Sequence, residues 1–121
     1  MLVKVFQAVL GLQAAVLLTQ ALLAGLALSG VNVALDAHRL TGAASLLVAI
    51  VQVAIVVLLW RARWAQRWLV AANVGFLLAE VAQAGAGYRH LWSLHLPLGA
   101  GMFGAAIAMA LRARPTLQRA P

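Results

Sequence analysis

Four long runs of apolar residues constrain the fold of this chain more than any other feature. They extend from about Val5 to Gly30, Leu40 to Trp60, Trp68 to Gly87 and Leu94 to Leu111. Each run can cross a bilayer of about 30 Å as a helix that rises about 1.5 Å per residue. None of them alternates polar and apolar residues, which disfavours a membrane β-barrel. The sequence predicts an all-α integral membrane protein, with one four-helix bundle domain over residues 1–121.

The composition excludes several other classes of protein. Hydrophobic residues make up 65% of the 121 residues and charged residues 9%. Soluble domains are roughly half apolar and about a quarter charged, and disordered chains are poorer still in apolar residues. The absence of cysteine rules out disulfides, thiolate metal sites and iron–sulfur clusters.

The basic residues predict how the helices are oriented. Nine basic and two acidic residues give a net charge of +7, which in a soluble protein would suggest binding to nucleic acid. Here six of the nine form two clusters, one between the second and third runs and one after the fourth: Arg61, Arg63 and Arg67, and Arg112, Arg114 and Arg119. Basic residues of membrane proteins concentrate in cytoplasmic loops. We expect a multi-pass protein of the bacterial inner (plasma) membrane, with both termini cytoplasmic and no nucleic-acid partner.

A short pattern occurs once in each half of the chain. His38 is followed by Gly42 at the start of the second run, and His95 by Gly99 at the start of the fourth. Both of these helices would run from outside to inside, and both end in Arg-Ala-Arg. The pattern predicts a parallel repeat of two helical hairpins.

The histidines lie on helix faces that carry mostly small residues. Residues three and four apart share a face, so these faces continue through Gly42, Ser45, Ala49 and Gln52, and through Gly99, Met102 and Ala106. If the two helices lie diagonally in the bundle, the imidazoles approach one iron from opposite sides, with the glycines making room for a flat ligand. Bundle cores hold such cofactors, and imidazole is a common axial ligand of haem. The alternatives are close packing through small residues and interfacial histidines without a role.

Three more residues near the predicted outer face are candidates for the site. Arg39 and Arg89 are placed to pair with haem propionates, because a guanidinium group binds a carboxylate with two hydrogen bonds; otherwise they are interfacial anchors. His90 is expected in the outer loop, and its role is open between ligand, substrate contact and neither.

Glu80 is the only acidic residue inside a predicted span. A carboxyl group in a membrane is costly and should face the bundle or a water-filled cavity. Asn73, Glu80 and Gly87 recur at seven-residue spacing and are expected to point inward together. As the candidate catalytic residue, Glu80 would donate a proton near the cofactor or hydrogen-bond a ligand. As a structural residue, it would bond to glutamines of other helices, namely Gln13, Gln20 or Gln52.

The segments Gln20–Leu26 and Ala37–Gly42 resemble one half of the haem A synthase family. Members of that family resemble two fused four-helix bundles, with haem-ligating histidines at the outer ends of the even-numbered helices. The resemblance implies that His38 and His95 bind one haem b, acting as its metal ligands. The catalytic half of the family has a glutamate three residues before the first ligand, where this chain has Leu35. A homodimer would restore the eight-helix arrangement.

The expected function is that of a small membrane b-type cytochrome, acting in electron transfer or haem handling with a redox partner or a quinone. Two alternatives remain open. One is a haem-modifying oxidoreductase, so whether the protein is an enzyme is uncertain. The other is a small multidrug-type, proton-coupled transporter that uses Glu80, although the glutamate of such transporters usually lies in the first helix.

Overall fold

The computed structural model describes residues 1–118, apart from the side chains of residues 115, 116 and 118, as four α-helices. These are α1 (Leu2–Leu28), α2 (Asn32–Arg61), α3 (Arg67–Tyr88) and α4 (Trp92–Gln118). Residues 1–118 contain no strand. All four helices are long and apolar enough to span a membrane, which confirms the predicted all-α four-helix bundle. Arg119 lies outside the described residues.

Two helices extend well beyond the apolar runs that predicted them. Helix α2 begins about two turns before Leu40, and α4 continues past Leu111 to Gln118. An apolar run marks the part of a helix that suits lipid, whereas the backbone ladder continues through polar residues as well. His38 therefore lies inside α2, and the two Arg-Ala-Arg segments are not equivalent: Arg61 ends α2, but Arg112 lies within α4.

The helices form a square arrangement. Among the described residues, α1 and α3 each pack against both α2 and α4, while α1 and α3, like α2 and α4, lie diagonally opposite. The diagonal placement of the two histidine-bearing helices was the condition for their imidazoles to meet, and the structure satisfies it.

The same pattern of burial occurs in both hairpins. The buried residues Phe6, Leu10, Gln13 and Leu17 of α1 correspond, at a constant spacing along the chain, to Leu69, Asn73, Phe76 and Glu80 of α3. The buried residues Ser45, Ala49, Gln52 and Val56 of α2 correspond in the same way to Met102, Ala106, Met109 and Ala113 of α4. Two residues related by these spacings are repeat partners, and His38 and His95 are one such pair. The described chain is thus a parallel repeat of two helical hairpins.

All three turns between helices use one local motif. Each has a residue with positive φ after the helix, namely Gly30 (91°), Arg63 (64°) and His90 (56°). In each turn the next amide donates back to a carbonyl five residues earlier, as Val31 N does to Leu26 O at 3.0 Å and Leu91 N to Ala86 O at 2.9 Å. These bonds satisfy the last carbonyls of the helix. The end of the bundle with Gly30 and His90 is called the histidine end, and the end with Arg61, Arg63 and Arg67 the basic end.

The polarity of the molecule is inverted relative to a soluble protein. Leu47 is 64% exposed and Leu22 63% exposed, whereas Gln13 and Gln52 are fully buried. In a bilayer the lipid tails cover exposed leucines, and polar side chains hydrogen-bond between helices.

Candidate cofactor site

His38 and His95 come together across the centre of the bundle near the histidine end. Their ring centroids are 6.1 Å apart and the ring planes are inclined by 74°. Both rings are partly buried. One imidazole from each hairpin thus lies beside the other in the structure.

Each histidine is held by a glutamine of the neighbouring helix through a pair of reciprocal contacts. His38 Nδ1 lies 3.1 Å from Gln20 O, and Gln20 Nε2 donates to His38 O at 2.9 Å. His95 Nδ1 lies 2.9 Å from Gln83 O, and Gln83 Nε2 donates to His95 O at 2.8 Å. We call each of these pairs a Gln–His latch. Gln20 and Gln83 are themselves repeat partners, so the latch occurs once in each hairpin.

The latch determines which nitrogen of each ring is available to a ligand. A carbonyl oxygen only accepts hydrogen bonds, so the hydrogen in each contact is on Nδ1. In the neutral ring the lone pair is then at Nε2. Metal-binding histidines show this arrangement, with the second ring nitrogen donating to a backbone carbonyl or carboxylate. In both rings Nδ1 is thus occupied by a carbonyl, and Nε2 makes neither of these contacts.

Gly99 leaves the space in which the second latch forms. A Cβ atom at Gly99 would lie 2.7 Å from Gln83 Nε2, which is too close, whereas one at Gly42 would lie 3.6 Å from Gln20 Oε1, which is an ordinary contact. The space beside these two glycines, which the sequence assigned to a macrocycle, is thus taken by the latch glutamines. Gly87 has a similar role, because a Cβ there would lie 2.8 Å from Cε1 of His95.

The remaining candidates from the outer face lie around the pair but not in it. Arg39 is exposed and lies 3.4 Å from Asp36 on the same helix. Arg89 is exposed and caps α3. His90 is exposed in the turn, with its ring 5.4 Å from that of Trp92, which in turn lies 6.0 Å from the ring of His95.

Glu80 lies deeper in the bundle, within a cluster of polar side chains from three helices. Its Oε1 accepts hydrogen bonds from Ser45 Oγ at 2.7 Å and from Gln13 Nε2 at 2.8 Å. Gln13 Nε2 also donates to Ser45 Oγ at 2.9 Å. The prediction that Glu80 bonds to Gln13 is confirmed, and its expected partners Gln20 and Gln52 make other bonds, to α2 and to Asn73.

Sequence reasoning missed two residues of these sites, Gln83 and Ser45. Gln83 would have been found by aligning the two hairpins on their histidines and looking for a second copy of Gln20. Ser45 was placed on the correct face of its helix, but the sequence did not indicate that Glu80 of another helix lies opposite it.

The histidine end offers two imidazole rings, those of His38 and His95, as possible metal ligands. Among the described residues, no three His, Cys, Asp or Glu side chains could hold a metal ion together, so a bare ion lacks ligands. Two imidazoles on opposite sides of one metal atom have centroids about 6 Å apart, since each metal–nitrogen bond is roughly 2 Å long. The centroid spacing of 6.1 Å is close to this distance, but in the T-shaped contact the edge of one ring faces the plane of the other. Joint ligation therefore requires at least one ring to turn.

A separate groove of about 500 Å³ lies between α3 and α4, away from the histidine pair. Its walls are formed mainly by small residues, namely Ala72, Gly75, Ala79, Gly101, Ala105 and Ala108, and Trp68 and Arg112 lie towards the basic end. It is a mostly apolar groove.

Comparison of the chain with protein-family models, curated proteins and solved structures found no match. The resemblance to the haem A synthase family therefore stays a prediction from the sequence.

Proposed function

We propose that this protein is a small membrane cytochrome that binds one b-type haem between His38 and His95, near the outer face of the inner membrane. The observation that carries the proposal is the duplicated latch. Two diagonal helices bring their imidazoles to a spacing of 6.1 Å. Each ring has Nδ1 bonded to a carbonyl of a neighbouring helix, which would leave Nε2 for iron once at least one ring has turned out of the edge-to-face contact.

Haem also explains why two protein ligands would suffice. Haem would bring most of its metal ligands with it, so His38 and His95 would be enough to hold it. Bound haem would supply a one-electron couple, and filling both axial positions from the protein favours electron transfer over oxygen binding. Arg39 and Arg89, both exposed at the same end, are proposed to bind the propionates after moving from their present positions.

The proposed setting follows from charge and from the resemblance to half of a haem A synthase. Both termini and the basic end face the cytoplasm, and the histidine end faces outward, where a redox partner or a quinone would exchange electrons. A homodimer would bring two such bundles together. Oxygenation of haem is not part of the proposal, because Leu35 stands where the family's catalytic half has glutamate.

The absorption spectrum of the purified protein tests the proposal. We expect a haem Soret band in the wild-type protein expressed with adequate haem, and its loss, or conversion to a five-coordinate spectrum, in His38→Ala and His95→Ala. His90→Ala is the matched control, because His90 is an exposed histidine of the same end, and it should keep the wild-type spectrum.

Two outcomes contradict the proposal. A wild-type protein without a Soret band rejects haem binding, and a six-coordinate spectrum that survives both alanine substitutions rejects the ligand assignment. A changed mass of the bound haem would instead favour a haem-modifying oxidoreductase. Proton-coupled uptake that depends on Glu80, in a haem-free preparation, would favour the transporter.

A further inference from the structure

The buried polar residues in the middle of the bundle do not follow the repeat. Each of them has an apolar repeat partner: Glu80 with Leu17, Gln13 with Phe76, Asn73 with Leu10, Ser45 with Met102, and Gln52 with Met109. The polar members come from α1, α2 and α3, and the described core of α4 below His95 is apolar. The apolar partners are buried as well, so burial at these positions does not by itself require polar side chains.

Three amide oxygens in this region are buried without a hydrogen-bond partner among the described residues. They are Oε1 of Gln83, in the latch layer, Oε1 of Gln13, beside Glu80, and Oε1 of Gln52, about two turns further towards the basic end. A buried acceptor without a donor costs about 1–3 kcal/mol. All three are acceptors at successive depths of the bundle, and each can accept a hydrogen bond from a bound water molecule where there is room for one.

The surroundings of the three amide oxygens differ between the basic end and the histidine end. Towards the basic end, Phe6, Val56 and Leu69 are each completely buried and form an apolar plug. Towards the histidine end, Gln83 lies about one turn from Glu80, and the side chains beside Gly42 and Gly99 are those of the polar latch glutamines, Gln20 and Gln83.

We propose that water enters this region from the histidine end and that Glu80 takes up and releases a proton through it. The proposed water path does not continue beyond Gln52 and Asn73, where Gln52 Nε2 donates to Asn73 Oδ1 at 2.6 Å. Proton transfer breaks an O–H bond of a hydrated proton and forms one at a carboxylate oxygen of Glu80, and release reverses this. The other titratable groups towards this end are His38 and His95 in the latch layer, with the exposed Asp36, Arg39, Arg89, His90 and Tyr88 beyond them. This proposal is independent of haem.

Infrared spectroscopy on the full chain in lipid nanodiscs tests the proposal, with D2O as the probe. The carboxyl stretch of Glu80 is identified as the band that Glu80→Gln lacks, and its shift after transfer to D2O gives the exchange rate. We expect Gln83→Leu to slow this exchange by tenfold or more. Gln52→Met, which copies the repeat partner Met109, should leave the rate unchanged because Gln52 lies where the proposed path ends.

Two further variants keep the test decisive. Gly99→Ala perturbs the same layer as Gln83→Leu, since its Cβ would lie 2.7 Å from Gln83 Nε2, and it should also slow exchange if the leucine variant does not fold. Met109→Leu is the control on the apolar side. The proposal is overturned if no Glu80 carboxyl band exchanges, if Gln83→Leu and Gly99→Ala both exchange at the wild-type rate, or if Gln52→Met alone slows exchange.

Discussion

Gly87 shows how closely the candidate site depends on single residues. A Cβ at this position would lie 2.8 Å from Cε1 and 3.1 Å from Nδ1 of His95, so Gly87→Ala has to displace the imidazole from its latch. Changes in the groups that orient a metal-binding histidine typically cost 10–100-fold in affinity. We expect Gly87→Ala to lower haem affinity about tenfold, measured by titration of the apoprotein with haem.

The matched control is Gly85→Ala, two residues earlier in α3. Nothing lies within 4 Å of a Cβ at Gly85, and alanine stabilises a helix by about 0.5–1 kcal/mol relative to glycine. Its haem affinity should match the wild type. Equal affinities in the two variants would show that the ring position of His95 is not important for binding.

At the level of residues, the sequence predicted the histidine pair better than its surroundings. Two histidines in a matched pattern were visible because polar residues are scarce in this chain. The latch was not visible, because its acceptors are the backbone carbonyls of Gln20 and Gln83, and every residue type carries a carbonyl. In the structure, Gln20 and Gln83 lie beside Gly42 and Gly99, and the sequence alone does not show whether a neighbouring side chain reaches such a space.

Among the elements, the turn between α3 and α4 contains an avoidable strain. His90 adopts φ 56°, whereas the corresponding turn between α1 and α2 has Gly30 at φ 91°. The left-handed region costs a residue with a side chain about 1 kcal/mol or more. We expect His90→Gly to stabilise the bundle by about 1 kcal/mol, measured by unfolding in mixed micelles of mild detergent and dodecyl sulfate.

The reverse substitution in the other turn provides the comparison. Gly30→Ala should destabilise the bundle by a similar amount, because a Cβ there has open space but an unfavourable backbone conformation. If His90→Gly instead lowers stability, then contacts of the His90 side chain, such as that with the Trp92 ring, outweigh the backbone strain.

The extents of the helices were harder to predict than their number. Apolar runs gave four helices, but Asp36, His38 and Arg39 belong to α2 although they are polar. Hydropathy measures the preference of a side chain for lipid, and helix formation depends on backbone hydrogen bonds that polar residues also make. The difference matters for the site, because His38 is held by a helix and not by a loop.

For the whole molecule, orientation in the membrane is a prediction from charge that the fold does not test. Arg61, Arg63 and Arg67 gather at the basic end, and basic loops stay in the cytoplasm. We expect a fluorescent protein that folds only in the cytoplasm to be bright when fused to the C-terminus. Alkaline phosphatase, which is active only outside, should be active when inserted after Gly30 and inactive after Trp64.

If the phosphatase is instead inactive after Gly30 and active after Trp64, the histidine end lies in the cytoplasm. The candidate haem would then exchange electrons with cytoplasmic donors, and Glu80 would exchange protons with that compartment. If charge alone determines the topology, moving Arg61, Arg63 and Arg67 to the histidine end should invert it.

The inverted polarity of the bundle affects how the protein should lose its tertiary structure. Since leucines cover the outside, each helix can persist in a micelle after it has left its neighbours, because its backbone bonds are internal. The side-chain hydrogen bonds that hold one helix to another are few. Gln13, for example, bonds to side chains of two other helices. Loss of structure should therefore begin as a loss of partners at nearly constant helicity. Distances between labelled helices will report damage that circular dichroism does not detect.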